Sequence, residues 1–305
     1  MNDGLTVSTK QLFELFPDQE AARKYLEMRY WPNGAMCPKC AKTERITTRK
    51  GGYYRCNACK LDFTVRTGTI FERSHIALDK WIHGMYLLLT ARKGVSSMQL
   101  SKELSITQTS AWFLLHRLRE ACGIQMEALH GTVEVDETFI GGKEKNKHVK
   151  KRIGGAQGGA GKTIVLGMRE RDGRTVALPV EGRDQLTLRR EILTTVKLGS
   201  ELHTDEHGGY DGLNAFYVHK TINHSLEQYH VDGVGTNSVE SVWAVLKRGI
   251  YGTFHQVSPK HLARYVNEFS FRLNAGNVKQ HTLLRLNALV DSCVGKRITY
   301  KELTA

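Results

Sequence analysis

With 305 residues the chain has room for two or three domains, and 40% hydrophobic with 25% charged residues is the composition of a folded soluble protein. Its longest apolar run, "MYLLLTA", falls far short of the ~20 residues that cross a bilayer, which excludes a helical membrane span. There are 44 Lys and Arg against 31 Asp and Glu, a formal net charge of +13, and this favours a polyanionic partner, because neutralising phosphates releases counterions. Many basic proteins bind no nucleic acid, so charge alone does not decide the partner. No basic amphipathic helix with an aromatic face points to an anionic membrane. The start "MNDGLTVSTK" lacks a basic segment followed by an apolar core, and the expectation is a cytoplasmic chain without a signal peptide.

Residues 1–35 read as a short helical lead-in. Asp18 is placed to cap a helix, and Trp31-Pro32-Asn33-Gly34 to end it. Residues 36–75 contain Cys37 and Cys40, then Cys56 and Cys59, with fifteen residues (41–55) between the pairs. Two Cys-x-x-Cys pairs at that spacing suit a tetrahedral Zn²⁺ site, and four thiolates close its coordination sphere, so such a zinc is structural. The alternative is two disulfides, which a cytosolic compartment disfavours. Gly51-Gly52 marks a hairpin turn between the pairs. Cys122 and Cys293 stand alone and are expected to be buried thiols.

Residues 76–130 read as all-helical. Ser96 with Gln99 forms a capping pattern before a short helix, Ser105-Ile106-Thr107 makes a turn, and Gln108–Ala121 forms a second helix with Ala111, Leu115 and Leu118 on one stripe. Gln108, Thr109, Arg117 and Arg119 fall off that stripe. The pattern fits a helix-turn-helix reader of DNA or an ordinary helical hairpin. Gln108, Thr109 and Arg117 are the candidate DNA-binding residues here.

Residues 131–275 read as mixed α and β. In "VEVDETFIGG", Val133 and Val135 alternate with Glu134 and Asp136, as in a strand with one buried face. A basic segment, 143–152, suits phosphates. The run "AQGGAGKT" (156–163) comes close to a phosphate-binding loop, but it lacks the preceding strand and following helix and reads as a Gly-rich turn. "KTIVLGMRE" and "RTVALPVE", joined through Arg171-Asp172-Gly173-Arg174, read as a hairpin, and a helix is expected near "DQLTLRREILTTV". Asp205 follows an apolar segment. Val239, Val242, Trp243, Leu246 and Ile250 then recur at helical spacing, with Asn237, Glu240 and Lys247 along one edge of that helix. Taken alone, Glu240 and Lys247 fit a solvated helix face. Glu134 reads as a solvated strand edge, Glu137 and Glu206 as pointing away from their neighbouring aspartates, and His230 and His255 as structural or DNA-touching. Pro259 starts a last helix on which Tyr265, Phe269 and Leu273 make core spacing. Residues 276–305 read as a C-terminal tail.

The segments "FPDQEAARKYLEMRYWPNGAMCPKC", "VEVDETFIGG", "TNSVESVWAVLKRGIYGTFHQVSPKHLARYVNEF" and "FRLN" resemble the DDE-type insertion-sequence transposases that carry an N-terminal zinc ribbon. The resemblance covers roughly residues 10 to 275. It implies an α+β multidomain fold with a zinc ribbon, a helix-turn-helix region and an RNase H-like mixed sheet flanked by helices. Asp136 would lie on the first strand, Asp205 on or after the fourth, and Glu240 on a helix across the sheet. It further implies two Mg²⁺ or Mn²⁺ ions, with Asp136 bridging them and Asp205 and Glu240 each holding one. Some members of this branch place Asn in the third position, which makes Asn237 an alternative to Glu240. Lys247 and Arg248 would meet DNA. The implied partners are double-stranded element ends and target DNA, with a homo-oligomer forming on the ends. Two other functions fit the same residues: a zinc-dependent DNA-binding regulator with inert carboxylates, and an RNase H-like nuclease without strand transfer.

Overall fold

Most described helices of this chain start where a side chain accepts a bond from their first, otherwise unpaired N–H groups. The computed structural model describes residues 5–123, 127–142, 144–153, 159–171, 173–223, 230–231 and 233–305. The start of the Gly-rich turn (156–158), Lys143 of the basic segment, Asp172 of the hairpin turn and the His230 side chain lie outside what is described. The chain divides into two units, Met1–Ile124 with Ala275–Ala305, and Gln125–Asn274. Among the described residues no helix is long and apolar enough to cross a membrane.

The first unit opens with α1 (Thr9–Leu15) and α2 (Gln19–Tyr30). Asp18 caps α2 by accepting from Ala21 N–H at 2.8 Å. Strands β1 (Ile46–Arg49), β2 (Tyr53–Cys56) and β3 (Asp62–Phe63) then form an antiparallel three-stranded sheet. Gly51 and Gly52 both take positive φ (71° and 74°) at its first turn, where a side chain would be strained. Cys37, Tyr54, Cys56 and Phe63 make a small core, with Trp31 packed edge-on to Tyr54 and Phe63. Helices α3 (Leu78–Thr90), α4 (Ser97–Leu104) and α5 (Gln108–Cys122) follow. Ser96 and Thr107 cap α4 and α5, and Ser105 turns the chain between them in a left-handed conformation.

The second unit is built on β4 (Thr132–Ile140), β5 (Thr163–Glu170), β6 (Thr175–Val180), α6 (Gln185–Thr195), β7 (Glu201–Thr204) and β8 (Val218–Thr221). A short pair, β9 (His230–Val231) and β10 (Val234–Gly235), leads into α7 (Asn237–Gly249) and α8 (Pro259–Leu273). The five-stranded sheet has the order β6-β5-β4-β7-β8, so β4 is central. β4, β5 and β6 pair antiparallel, and β7 and β8 run parallel to β4. Alternation along β4 sends Val133 and Val135 into one core with Leu188 and Ile192 of α6. The opposite face packs Ile140, Val165 and Ala177 against Val239, Trp243 and Leu246 of α7 and Leu262, Val266 and Phe269 of α8. The sheet is thus mixed, with α6 on one face and α7 and α8 on the other.

Residues 275–305 are not a tail. Leu286, Leu289 and Val290 put an apolar stripe on α9 (Thr282–Asp291), and that stripe is buried in the first unit. Tyr25 Oη donates to Asn287 Oδ1 at 2.6 Å, and Tyr300, at the start of α10 (Tyr300–Thr304), meets the rings of Trp112 and Phe113 edge-on.

Candidate functional site

The four ribbon cysteines come from two matching knuckles, and the residues after them, Ala41 and Lys60, both take left-handed backbone angles. Their sulfurs all lie within 4.8 Å of one another, with Cys37–Cys59 at 3.5 Å and Cys40–Cys56 at 3.7 Å. Zn–S bonds of about 2.3 Å at tetrahedral angles require S···S separations of about 3.8 Å, so the cluster fits zinc. These separations are too long for S–S bonds, and the cysteines are free thiols. Backbone N–H groups of Cys59 and Ala58 aim at the Cys56 sulfur and pull its thiol down to about 6, which favours the thiolate that binds metal.

Asp136 sits in the middle of β4 on the face covered by α7 and α8. The parallel register pairs Val133 with Leu202 and Glu134 with His203; continued two steps, it sets Asp205, just past the end of β7, opposite Asp136. From the helix side, Trp243 Nε1–H donates to Asp136 Oδ2 at 2.8 Å. The indole lies over Gly167, Asp136's partner on β5, and a Cβ at Gly167 would collide with its ring. Burial raises the Asp136 carboxyl to about 6; the indole N–H works against this, while the charges of Glu137 and Asp205 add to it. A cation beside these carboxylates would relieve that repulsion, and hard carboxylate oxygens suit Mg²⁺ or Mn²⁺.

Glu240 lies one turn before Trp243, half-buried, and its Oε1 accepts from Thr236 Oγ1 at 3.1 Å. Asn237 is the exposed first residue of α7, Lys247 is half-buried and Arg248 exposed. Among the described residues, the cysteines are the one group of three or more ligand side chains close enough to share a single ion. The fold thus brings Asp136 and Asp205 to neighbouring strands and sets Glu240 beside a helix residue that binds Asp136, without gathering all three around one point.

Two neighbours of Asp136 differ from their expected roles. Glu134, expected at a solvated edge, is 3% exposed and accepts bonds from the first turn of α7. Glu137 does point away from Asp136, but into the fold, where Arg183 and Tyr210 Oη both donate to it. Tyr210 belongs to the turn after Asp205, whose Oδ1 accepts from His207 N–H at 3.0 Å. These partners lie 46 to 105 residues from their glutamates, so spacing carried no signal of them. Trp243 was legible only as a core residue.

In the helical region, Gln108 and Thr109 are exposed at the start of α5, with Gln108 Nε2 donating to Ser97 Oγ at 2.8 Å. Arg117 departs from the expectation that it faces DNA. It is 5% exposed; its guanidinium donates to the carbonyls of Ile70 (2.7 Å) and Glu72 (3.0 Å) and stacks over Phe113. Arg119 is buried as well. The charged face expected of α5 is covered, because the chain on either side folds over it.

Comparison with known proteins bears on both centres. Residues 17–62 match the model of a transposase zinc-ribbon domain, and residues 128–274 that of an ISXO2-like transposase domain. A protein of Halobacterium salinarum, described as an uncharacterized protein in transposable element ISH50, is 26% identical over 274 residues, spanning 84% of this chain and 91% of its own length. A chain from the crystal structure of a pre-cleavage Mos1 transpososome is similar over 72% of this chain and 80% of its own, at 14% identity and a TM-score of 0.26, too slight a likeness to carry weight. The two matched regions hold the cysteine cluster and the Asp136 sheet, and both of the models that match are of transposase domains.

Proposed function

We propose that this chain cuts DNA at the ends of its own element and joins the freed 3′-OH to target DNA, with Asp136, Asp205 and Glu240 as the acidic residues of the reaction. The observation that supports the proposal is the register of β4 on β7 which, continued two steps, sets Asp136 and Asp205 side by side, with Asp136 bonded to the helix that bears Glu240. Asp136, Asp205 and Glu240 would be the side chains that hold the cations. When bound, two Mg²⁺ or Mn²⁺ ions stabilise the attacking and leaving oxygens of an in-line displacement. The buried Trp243 side of the site keeps one Asp136 oxygen oriented and excludes water from that flank. Glu240 is the stronger third ligand, because Asn237 is neutral and sits exposed at the helix start. Lys247 and Arg248, about two turns on from Glu240, would meet the phosphates of the DNA end, and the exposed Gln108 and Thr109 would read it.

The test is nicking and strand transfer on duplexes carrying the element ends, with Mg²⁺ or Mn²⁺. Asp136→Asn is expected to abolish both reactions, by at least a thousandfold, while end binding persists. Glu240→Gln should match it, and Asn237→Ala should retain most activity. A wild-type chain that binds ends and never nicks them is a DNA-binding regulator instead. Nicking without strand-transfer products makes it a nuclease.

A further inference from the structure

Helix α7 begins without a cap of its own. Thr236 stands at the capping position, yet its hydroxyl donates to Glu240 Oε1 rather than accepting from the helix N–H groups. Those groups are instead taken by Glu134 on β4. Its Oε2 accepts from Ser238 N–H at 2.8 Å, Val239 N–H at 3.2 Å and Ser238 Oγ–H at 2.6 Å. A carboxylate there satisfies two orphan donors and faces the positive end of the helix. Its other oxygen accepts from Arg171 Nη2 at 3.2 Å, and the same guanidinium donates to Gly233 O at 2.6 Å and to His203 Nδ1 at 3.3 Å. His203 Nδ1 also accepts from Gly235 N–H, so Nε2 carries the hydrogen and donates to Glu201 at 2.6 Å. The approach to α7 and its first turn are therefore held to β4, β7 and the β5–β6 turn through Glu134, His203 and Arg171.

The second attachment is Trp243 on Asp136. Glu134 and Asp136 share a strand face two residues apart, about 6.7 Å along β4. Ser238 and Trp243 are five residues apart, about 7.5 Å along α7. The two spacings nearly match, so helix and strand are joined at two points, and Glu240 lies between them.

We propose that Glu134 is a positioning residue: it holds the first turn of α7 to the Asp136 strand and so sets where Glu240 stands relative to Asp136. This rests on the function proposed above. The test uses the full-length chain, element-end duplex and a Mn²⁺ titration of the nicking rate. In Glu134→Gln, an amide replaces the charge, and the Mn²⁺ concentration for half-maximal nicking should rise about tenfold while the rate recovers at high Mn²⁺. Ser238→Ala, which removes one bond to the same oxygen, should raise it about threefold. A merely structural role would lower the rate at every Mn²⁺ concentration without moving the midpoint. If E134Q does not fold, S238A decides alone. If wild type nicks, Asp136→Asn does not, and the midpoint stays within twofold in the variants that fold, the positioning role is overturned and the proposed function stands. A wild-type chain that never nicks overturns both.

Discussion

The cysteine cluster draws its four side chains from 23 consecutive residues, 37 to 59, whereas Asp136, Asp205 and Glu240 are spread over 105. In the ribbon, two tight knuckles and one hairpin bring the ligands together, so the backbone turns do nearly all the positioning. At the carboxylate site the positioning is done by a sheet register, a helix docked across it and side chains that tie the two. A site of the first kind survives or fails with its ion. A site of the second kind depends on many weak tertiary contacts, each of which can be loosened separately.

The most severe break expected is on the local side. Cys56→Ser leaves three thiolates, and metal binding in small zinc modules contributes on the order of 10 kcal/mol to folding. Bound zinc measured on the purified variant should fall to near zero, and the ribbon should lose its ordered NMR signals while the sheet unit keeps its own. Retention of one zinc per chain would mean the fourth thiolate is dispensable.

Next is the contrast between Arg117 and Gln108. Arg117→Met strands two carbonyl groups in a buried setting and should cost about 2–3 kcal/mol in chemical denaturation. At a temperature where the variant is folded, its affinity for end DNA should be unchanged. Gln108→Ala should shift stability by less than about 0.5 kcal/mol and weaken end binding. The reverse pattern would restore Arg117 to the DNA-facing set.

Gly167→Ala forces a methyl into the Trp243 ring. An overpacked core site of this kind costs about 1–3 kcal/mol, read from the denaturation midpoint. The displaced indole should also change its fluorescence. A neutral outcome would mean that α7 shifts freely on the sheet, and the two-point attachment would lose its meaning.

The smallest effect is a pH dependence. Although burial works to raise it, hydrogen bonds from Arg174 and from His130 N–H bring Glu170 down to about 2. Because the folded value is depressed, this stabilisation is complete above the ordinary carboxyl range near 4.5 and fades as pH falls toward 2. Glu170→Gln should therefore narrow the gap in denaturation midpoint between pH 5 and pH 3. An unchanged gap would show that the pair contributes nothing there.

What could be read from sequence follows the same division. The Cys-x-x-Cys spacing, the Gly51-Gly52 turn, the caps Asp18 and Ser96, and the apolar stripe of α7 depend on neighbours within a few turns, and all appear in the structure. The alternation of Val133 and Val135 gave β4 one buried face, which it has, but α7 and α8 bury the opposite face too. Glu134 and Arg117 were misread for one reason: each is a charged residue on an otherwise patterned element, and the groups that bury it come from elsewhere in the chain. Helix α5 is covered nearly all round, partly by residues near 300, and no periodicity within α5 records their arrival. Gly167 shows the converse, since a glycine inside a strand invites the question of what approaches it, and the answer is Trp243.

The return of α9 to the first unit has a consequence for how the polypeptide is made. Leu5 O accepts from Thr282 N–H, Val7 N–H donates to the Thr282 hydroxyl, and Arg29 pairs with Asp291, so the earliest described residues wait for nearly the last. On the ribosome the sheet unit, 125–274, emerges whole and can fold before the helical unit has its closing pieces. A gene interrupted shortly after codon 274 would therefore yield a finished acidic sheet attached to an unfinished cysteine-bearing half.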